Sequence, residues 1–311
     1  MSLFKTVSGL GLMPRVMAVT LLALAGGLPL CGQEPGPQAA VTRKLFTVLD
    51  RPEVLKIVFH PRREKEPALD GPAGRTLRIP MDDGTVIGGR LYAGESQVPV
   101  ILLFHGNGEI ASDYDKLGAV YNRCGISLMV VDYRGYGISE GTPTATALIA
   151  DADTIYRAAR LVLGKQGVAP RKVFIMGRSL GSAAALEVAS QAGGDIAGVI
   201  IESGFGETFT VFGRGGGPAF EGADEARDGF GNLEKIAQLK VPVLIIHGEA
   251  DTLIPVEHAK ALFQCCGAEG KRLVTIPGAG HNNLLGIGRQ TYFQALSQFV
   301  SGEKAIPAAQ R

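Results

Sequence analysis

Two pentapeptides in this chain set a serine between glycines, Gly177-Arg178-Ser179-Leu180-Gly181 and Gly137-Ile138-Ser139-Glu140-Gly141. A serine hydroxyl attacks a carbonyl carbon when a base takes its proton, an acid orients that base, and N–H donors stabilise the oxyanion. Because both segments fit Gly-x-Ser-x-Gly, context must choose between them. The motif needs a strand, a sharp turn and a helix, so that the serine oxygen stands above a sheet. Ser179 follows the apolar run 172–176 and opens the helix-forming stretch Leu-Gly-Ser-Ala-Ala-Ala-Leu-Glu. Ser139 runs instead into Gly141-Thr142-Pro143, which cannot open a helix, so it is read as a loop serine.

There are five histidines from which to draw a base. His60 sits in a charged stretch ahead of any strand pattern and is read as solvated. His258 falls inside a helical pattern, where a surface position is the default. His105 and His247 each end an apolar run before a glycine, as residues that close strand ends do. His281 follows the last strand in Pro277-Gly-Ala-Gly-His-Asn-Asn and is the candidate base. The acid should fall between serine and histidine in chain order. Asp251, in His-Gly-Glu-Ala-Asp just past the run 241–247, meets that condition, with Glu202 and Glu249 as rivals. The oxyanion donors are assigned to the backbone N–H of Leu180, after the nucleophile, and of Asn107, in Phe104-His-Gly-Asn-Gly.

The elements that must carry these residues are legible from about residue 75. Runs 75–80 and 86–92 flank Asp82-Asp83-Gly84-Thr85, a hairpin turn signal. Strand patterns follow at 99–104, 127–131, 172–176, 198–202, 241–247 and 272–276. Helix patterns cover 109–123, 144–163, 179–191, 256–266 and 284–300. Repeated strand–helix units imply an α/β fold: a mostly parallel twisted sheet with helices on both faces and an antiparallel start. Ligands bind such sheets at the carboxyl ends of the strands. The alternation breaks over 203–240, read as a small lid-like excursion whose most helical part is 232–239.

Of the 311 residues, 46% are hydrophobic, 31 are basic and 30 acidic, for a formal net charge of +1. That supports a large core and excludes a basic nucleic-acid surface. Lys5 and Arg15 precede an apolar run over 16–30, and Ala23-Leu24-Ala25 offers a small-x-small cleavage site. The run is short of the roughly 20 residues of a spanning helix and reads as a leader. The chain is therefore expected to be exported, periplasmic or extracellular, or held at a membrane by an uncleaved anchor. The domain plan is leader or anchor 1–30, linker and N-terminal extension 31–74, α/β domain 75–303 and tail 304–311. The four cysteines, Cys31, Cys124 and the adjacent Cys265 and Cys266, show no metal-ligand spacing and are read as buried apolar thiols.

On the segments FHGNGE (104–109), DYRGYGISEGTP (132–143), GRSLGSAAA (177–185), NLEKIAQLKVPVLIIHGEADTLIP (232–255) and IPGAGHNN (276–283), the sequence resembles the α/β-hydrolase superfamily. Within it the likeness is to the α/β-hydrolase domain-containing serine hydrolases. The resemblance implies an α/β-hydrolase fold with a minimal lid, a triad of Ser179, Asp251 and His281, and oxyanion donation by the Asn107 and Leu180 amides. It implies no cofactor and no metal. Gly204, in Glu202-Ser203-Gly204-Phe205, departs from relatives that often carry proline there. The expected activity is hydrolysis of carboxylic esters, or thioesters, of small-molecule or lipid-like kind through an acyl-enzyme. A serine peptidase of the same fold and an idle scaffold that binds a partner are the alternatives.

Overall fold

The computed structural model describes residues 44–302, apart from 67–69, 72–73, 96 and 214–216. The leader, the Pro- and Gly-rich linker at 33–40 and the tail at 304–311 lie outside the described residues. Among the described residues, eight strands form one sheet: β1 (Arg75–Pro80), β2 (Val86–Tyr92), β3 (Val100–Phe104), β4 (Ser127–Val131), β5 (Val173–Arg178), β6 (Gly198–Glu202), β7 (Val243–Gly248) and β8 (Lys271–Ile276). Their order is β1-β2-β4-β3-β5-β6-β7-β8. The pairs β1·β2 and β2·β4 are antiparallel and all others are parallel. The first hairpin turns at Gly84, whose φ of +84° suits a residue without Cβ.

Nine α-helices among the described residues accompany the sheet: α1 (Pro52–Val58), α2 (Asp115–Arg123), α3 (Ala145–Lys165), α4 (Gly181–Ala192), α5 (Thr208–Phe212), α6 (Glu225–Asp228), α7 (Asn232–Gln238), α8 (Val256–Cys265) and α9 (Leu284–Ser301). Side chains alternate across a strand, and β3 shows what that does in a sheet covered on both faces. Val100, Leu102 and Phe104 belong to the buried cluster that also holds residues of α1, α3, α4, α7 and α8, whereas Ile101 and Leu103 belong to the one that holds residues of α2 and α9. Both sets are buried, which is why the strand reads as an unbroken apolar run. Helix α3 buries Ala145, Leu148, Ile149, Ala152, Ile155, Ala159 and Leu163, the three-and-four spacing of one helical stripe. Thr144 caps it, accepting from the Ala147 amide at 2.9 Å.

Residues 44–60, which sequence patterning leaves outside the sheet, are packed into this frame. Phe46, Leu49, Val54, Val58 and Phe59 are buried in the same cluster as α3 and α4. Asp50 Oδ1 accepts from the Ala145 amide at 2.6 Å, tying this segment to the start of α3. The excursion after β6 carries α5, α6 and α7. Glu225 closes it by accepting from the Thr208 and Phe209 amides at 2.7 and 2.8 Å. Phe205 and Phe230 are buried beneath it, with ring centroids 6.1 Å apart. Of the four cysteines, Cys31 lies outside the described residues; Cys266 is buried as expected, whereas Cys124 is half-buried and Cys265 is exposed, and these three are free thiols.

Helix α4 approaches the sheet more closely than any side chain allows. A Cβ on Gly181 would lie 2.0 Å from the Phe104 carbonyl oxygen, and one on Gly177 would lie 2.4 Å from the Gly181 oxygen. Gly164, inside α3, has open space at the same position. Gly181→Ala is therefore expected to destabilise the protein by about 2 kcal/mol through overpacking, lowering Tm by roughly 4–8 °C. Gly164→Ala should raise stability by about 0.5–1 kcal/mol, because glycine is a poor helix former. Scanning calorimetry of both variants checks this, and equal shifts of the same sign would contradict it.

Candidate active site

The close approach of α4 dictates the turn that carries Ser179. Strand β5 ends at Arg178 and α4 begins at Gly181, so the chain reverses within two residues. Ser179 takes φ +51°, left-handed backbone that a side-chain-bearing residue adopts only under constraint. Its amide donates to the Glu202 carbonyl at 2.9 Å, anchoring the turn to the end of β6. Its side chain is left at the carboxyl edge of the sheet.

Two further loops converge there. The loop after β7 holds Asp251, whose Oδ1 accepts from the Leu253 and Ile254 amides at 2.9 and 2.8 Å. The loop after β8 holds His281, and the two loops are joined by the Ala250 amide donating to the Ala279 carbonyl at 2.8 Å. His281 Nδ1 lies 2.7 Å from Asp251 Oδ2, and its Nε2 lies 3.0 Å from Ser179 Oγ. Ser179, Asp251 and His281, separated by up to 102 residues, thus form one hydrogen-bonded chain. Ser179 and Asp251 are only 6% and 5% exposed. Burial alone would raise the Asp251 pKa. The hydrogen bonds from His247 and His281 and from the Ile254 amide outweigh it, holding the carboxyl below the usual carboxylate range.

The rival carboxylates are engaged elsewhere. Glu202 accepts from Arg178 Nε at 3.1 Å and from the Tyr292 hydroxyl at 2.7 Å. Glu249 is exposed and accepts from Thr275 Oγ1 at 2.7 Å. Ser139 is buried, its Oγ accepting from the Gly88 amide at 2.8 Å, so the second Gly-x-Ser-x-Gly holds a loop against β2.

The remaining histidines divide in instructive ways. His105 is buried, with Nδ1 donating to the Gly106 carbonyl at 2.8 Å. His247 Nε2 donates to the Ile254 carbonyl at 2.8 Å and lies 3.4 Å from Asp251 Oδ2, so it supports the loop of Asp251 as well as ending its strand. His258 departs from the surface position its helical pattern suggests. It is buried, and its Nδ1 accepts from the Gly206 amide at 3.4 Å, because α8 turns that face toward the excursion. His60 is exposed, with Nδ1 2.7 Å from Asn107 Nδ2.

The Asn107 side chain faces the N-terminal segment. Its Oδ1 accepts from the His60 amide and the Tyr136 hydroxyl at 2.8 and 2.7 Å, and its Nδ2 donates to the Val58 carbonyl at 2.8 Å. These bonds fix the glycine loop whose backbone approaches α4 through Phe104, His105 and Gly181. Gly108, at φ +76°, completes that turn. At the opposite side, Gly204 leaves no room for a Cβ, which would lie 2.4 Å from Ile201 Cγ2.

One side chain of the site escapes the motif reading: Arg178, 12% exposed, is ion-paired to Glu109 and Glu202. A charged residue ending the strand just ahead of Ser179, together with a glutamate that ends the apolar run Gly-Val-Ile-Ile-Glu, is the available signal. Among the described residues, no group of three or more His, Cys, Asp or Glu is placed to hold a metal ion. No helix among them is long and apolar enough to cross a membrane.

The family model described as serine aminopeptidase, S33, matches residues 95–208 and 218–286. An uncharacterized protein of Mycobacterium tuberculosis is 30% identical over 254 residues, which cover 79% of this chain and 86% of that protein. Human alpha/beta hydrolase domain-containing protein 17B is 34% identical over 209 residues, 65% of this chain and 66% of its own length. Among solved structures, an esterase of Pyrococcus furiosus is similar in fold at a TM-score of 0.62 and 18% identity, covering 78% of this chain and 97% of that one. A soluble variant of monoglyceride lipase from Saccharomyces cerevisiae, in complex with a substrate analog, gives 0.59 and 17%, covering 75% and 96%. The family match spans more than half of the chain, and the strand order and the turn at Ser179 agree with it: the chain belongs to the α/β hydrolases, in the family described as serine aminopeptidase, S33.

Proposed function

We propose that this α/β hydrolase cleaves carboxylic esters through an acyl-enzyme, with Ser179 as nucleophile, His281 as base and Asp251 as the acid that orients it. The observation that carries the reading is the continuous chain from Asp251 Oδ2 to His281 Nδ1 at 2.7 Å and from His281 Nε2 to Ser179 Oγ at 3.0 Å. Ser179 Oγ attacks the ester carbonyl while His281 Nε2 takes its proton. The ionised Asp251 stabilises the imidazolium without itself taking the proton. The backbone N–H groups of Leu180 and Asn107 receive the oxyanion, each such donor being worth about 3 kcal/mol of transition-state stabilisation. His281 returns the proton to the leaving alkoxide, and water, activated by the same imidazole, then releases the acid and restores Ser179.

The family's description favours a second reading, an aminopeptidase. Such an enzyme needs a free carboxylate to receive a peptide's terminal ammonium. Glu109 and Glu202, at the edge where Ser179 sits, are both ion-paired to Arg178 and so neither is free to receive that ammonium, which favours esters without one. The esterase and the monoglyceride lipase that share the fold are named for ester substrates. The apolar N-terminal run further leads us to propose delivery of this activity outside the cytoplasm or at a membrane face.

The ester reading is tested with p-nitrophenyl esters of increasing chain length beside thioester and aminoacyl-anilide analogues. Esters should turn over fastest, and Ser179→Ala should abolish turnover together with fluorophosphonate labelling. Preference for the anilides would transfer the assignment to the peptidase. Asp251→Asn should lower kcat by about 10⁴-fold with folding retained; near-normal turnover would remove Asp251 from the mechanism. The depressed pKa of Asp251 also makes a stability prediction. The native state favours the ionised form, so its contribution is complete above the unfolded carboxylate pKa of about 3.9 and is lost as pH falls below it. Urea unfolding should show the stability gap between wild type and Asp251→Asn narrowing from pH 5 to pH 3, and a gap independent of pH would contradict this.

A further inference from the structure

Arg178 occupies the variable position before Ser179, and its guanidinium reaches two loops and the end of a strand at once. It pairs with Glu109 in the loop after β3, and its Nε donates to Glu202 Oε1 at the end of β6 at 3.1 Å. Its Nη2 donates to the His281 carbonyl at 3.0 Å and to Asn282 Oδ1 at 3.1 Å, in the loop after β8. Both carboxylates are held from behind. Glu109 Oε2 accepts from the Gly106 amide at 2.8 Å and the Tyr114 hydroxyl at 2.9 Å. Glu202 Oε2 accepts from the Tyr292 hydroxyl, which lies 3.2 Å from that of Tyr121. Gly106 leaves the space the guanidinium fills, since a Cβ there would lie 2.4 Å from Nη1.

These contacts join the two loops that the chemistry requires to be fixed relative to each other. One carries the base, and the other carries the Asn107 amide. His281 is bound through its backbone carbonyl, so Arg178 sets where the imidazole stands without touching it. A planar fork of five N–H donors spans these partners; a lysine ammonium, a compact point charge, does not.

We propose that Arg178 is a positioning residue that ties the His281 loop to the Gly106–Glu109 loop, holding base and oxyanion donors in register around Ser179. This rests on the serine hydrolase reading above. A purely structural ion pair would govern how many molecules fold; a positioning role also governs turnover by each molecule that has folded.

The test is active-site titration with a fluorophosphonate, followed by steady-state kinetics on a p-nitrophenyl ester. Wild type must label at Ser179; failure there overturns the hydrolase reading and this inference with it. Arg178→Lys should lower kcat per titrated site by about 100-fold, the scale of an ångström misplacement, with KM little changed, the mark of an interaction felt in the transition state. Arg178→Ala should regain turnover on addition of guanidinium at millimolar concentration, an effect free ammonium does not reproduce. Should both variants fail to fold, Asn282→Ala removes one tether without unpairing a charge, and a several-fold loss of kcat per titrated site is expected. If wild type labels but the variants keep wild-type turnover per site, or lose activity only in proportion to titrated sites, the positioning role is overturned and the hydrolase reading stands.

Discussion

The site depends on one steric fact: the first turn of α4 lies against the ends of β3 and β5 with nothing but glycine between them. Gly177 and Gly181 cannot carry a side chain at the observed backbone distances. That closeness leaves two residues in which to turn from strand to helix, and Ser179 accepts φ +51° as a result. Left-handed backbone at a non-glycine residue costs about 1–3 kcal/mol. The bond from its amide to Glu202 and the burial of the whole α4 face offset it. Loosening this contact would let the serine relax into the helix and withdraw its oxygen from the edge.

Around that turn, carboxylates are given different work by their partners. Asp251 receives backbone amides and two imidazoles, so it is held ionised beside His281. Glu109 and Glu202 receive a guanidinium and tyrosine hydroxyls, so their charge is spent on fixing loops. Taking one member from such a buried ionic cluster costs far more than exposed pairs do, because the remaining charge stays buried without its partner. The arrangement is rigid for the same reason.

The N-terminal extension contributes more than its sequence suggests. Its seven-residue helix α1 is too short for a clear periodic pattern, and its apolar residues Phe46, Leu49, Val54 and Val58 are spaced across a turn and a helix. Only the finished core shows why they are apolar. Through Val58 and His60 this segment holds the Asn107 side chain, so part of the support for the glycine loop comes from outside the βα series. The excursion after β6 was legible as a break in the alternation, but not as short helices closed by Glu225.

The amino-acid order by itself determined the eight strands, the five main helices, the antiparallel start and the turn that carries Ser179. These follow from side-chain periodicity and from glycine at particular positions, properties of neighbours within a few residues. It also narrowed the acid to Asp251, Glu202 and Glu249, and the base to His281. Which carboxylate meets the imidazole, what Ser139 binds, why His258 is buried and what Arg178 grips were decided only by tertiary structure. Hydrogen bonds select partners by distances of about 3 Å. Between residues tens of positions apart in the chain, such distances exist only once the sheet has brought its loops to one edge.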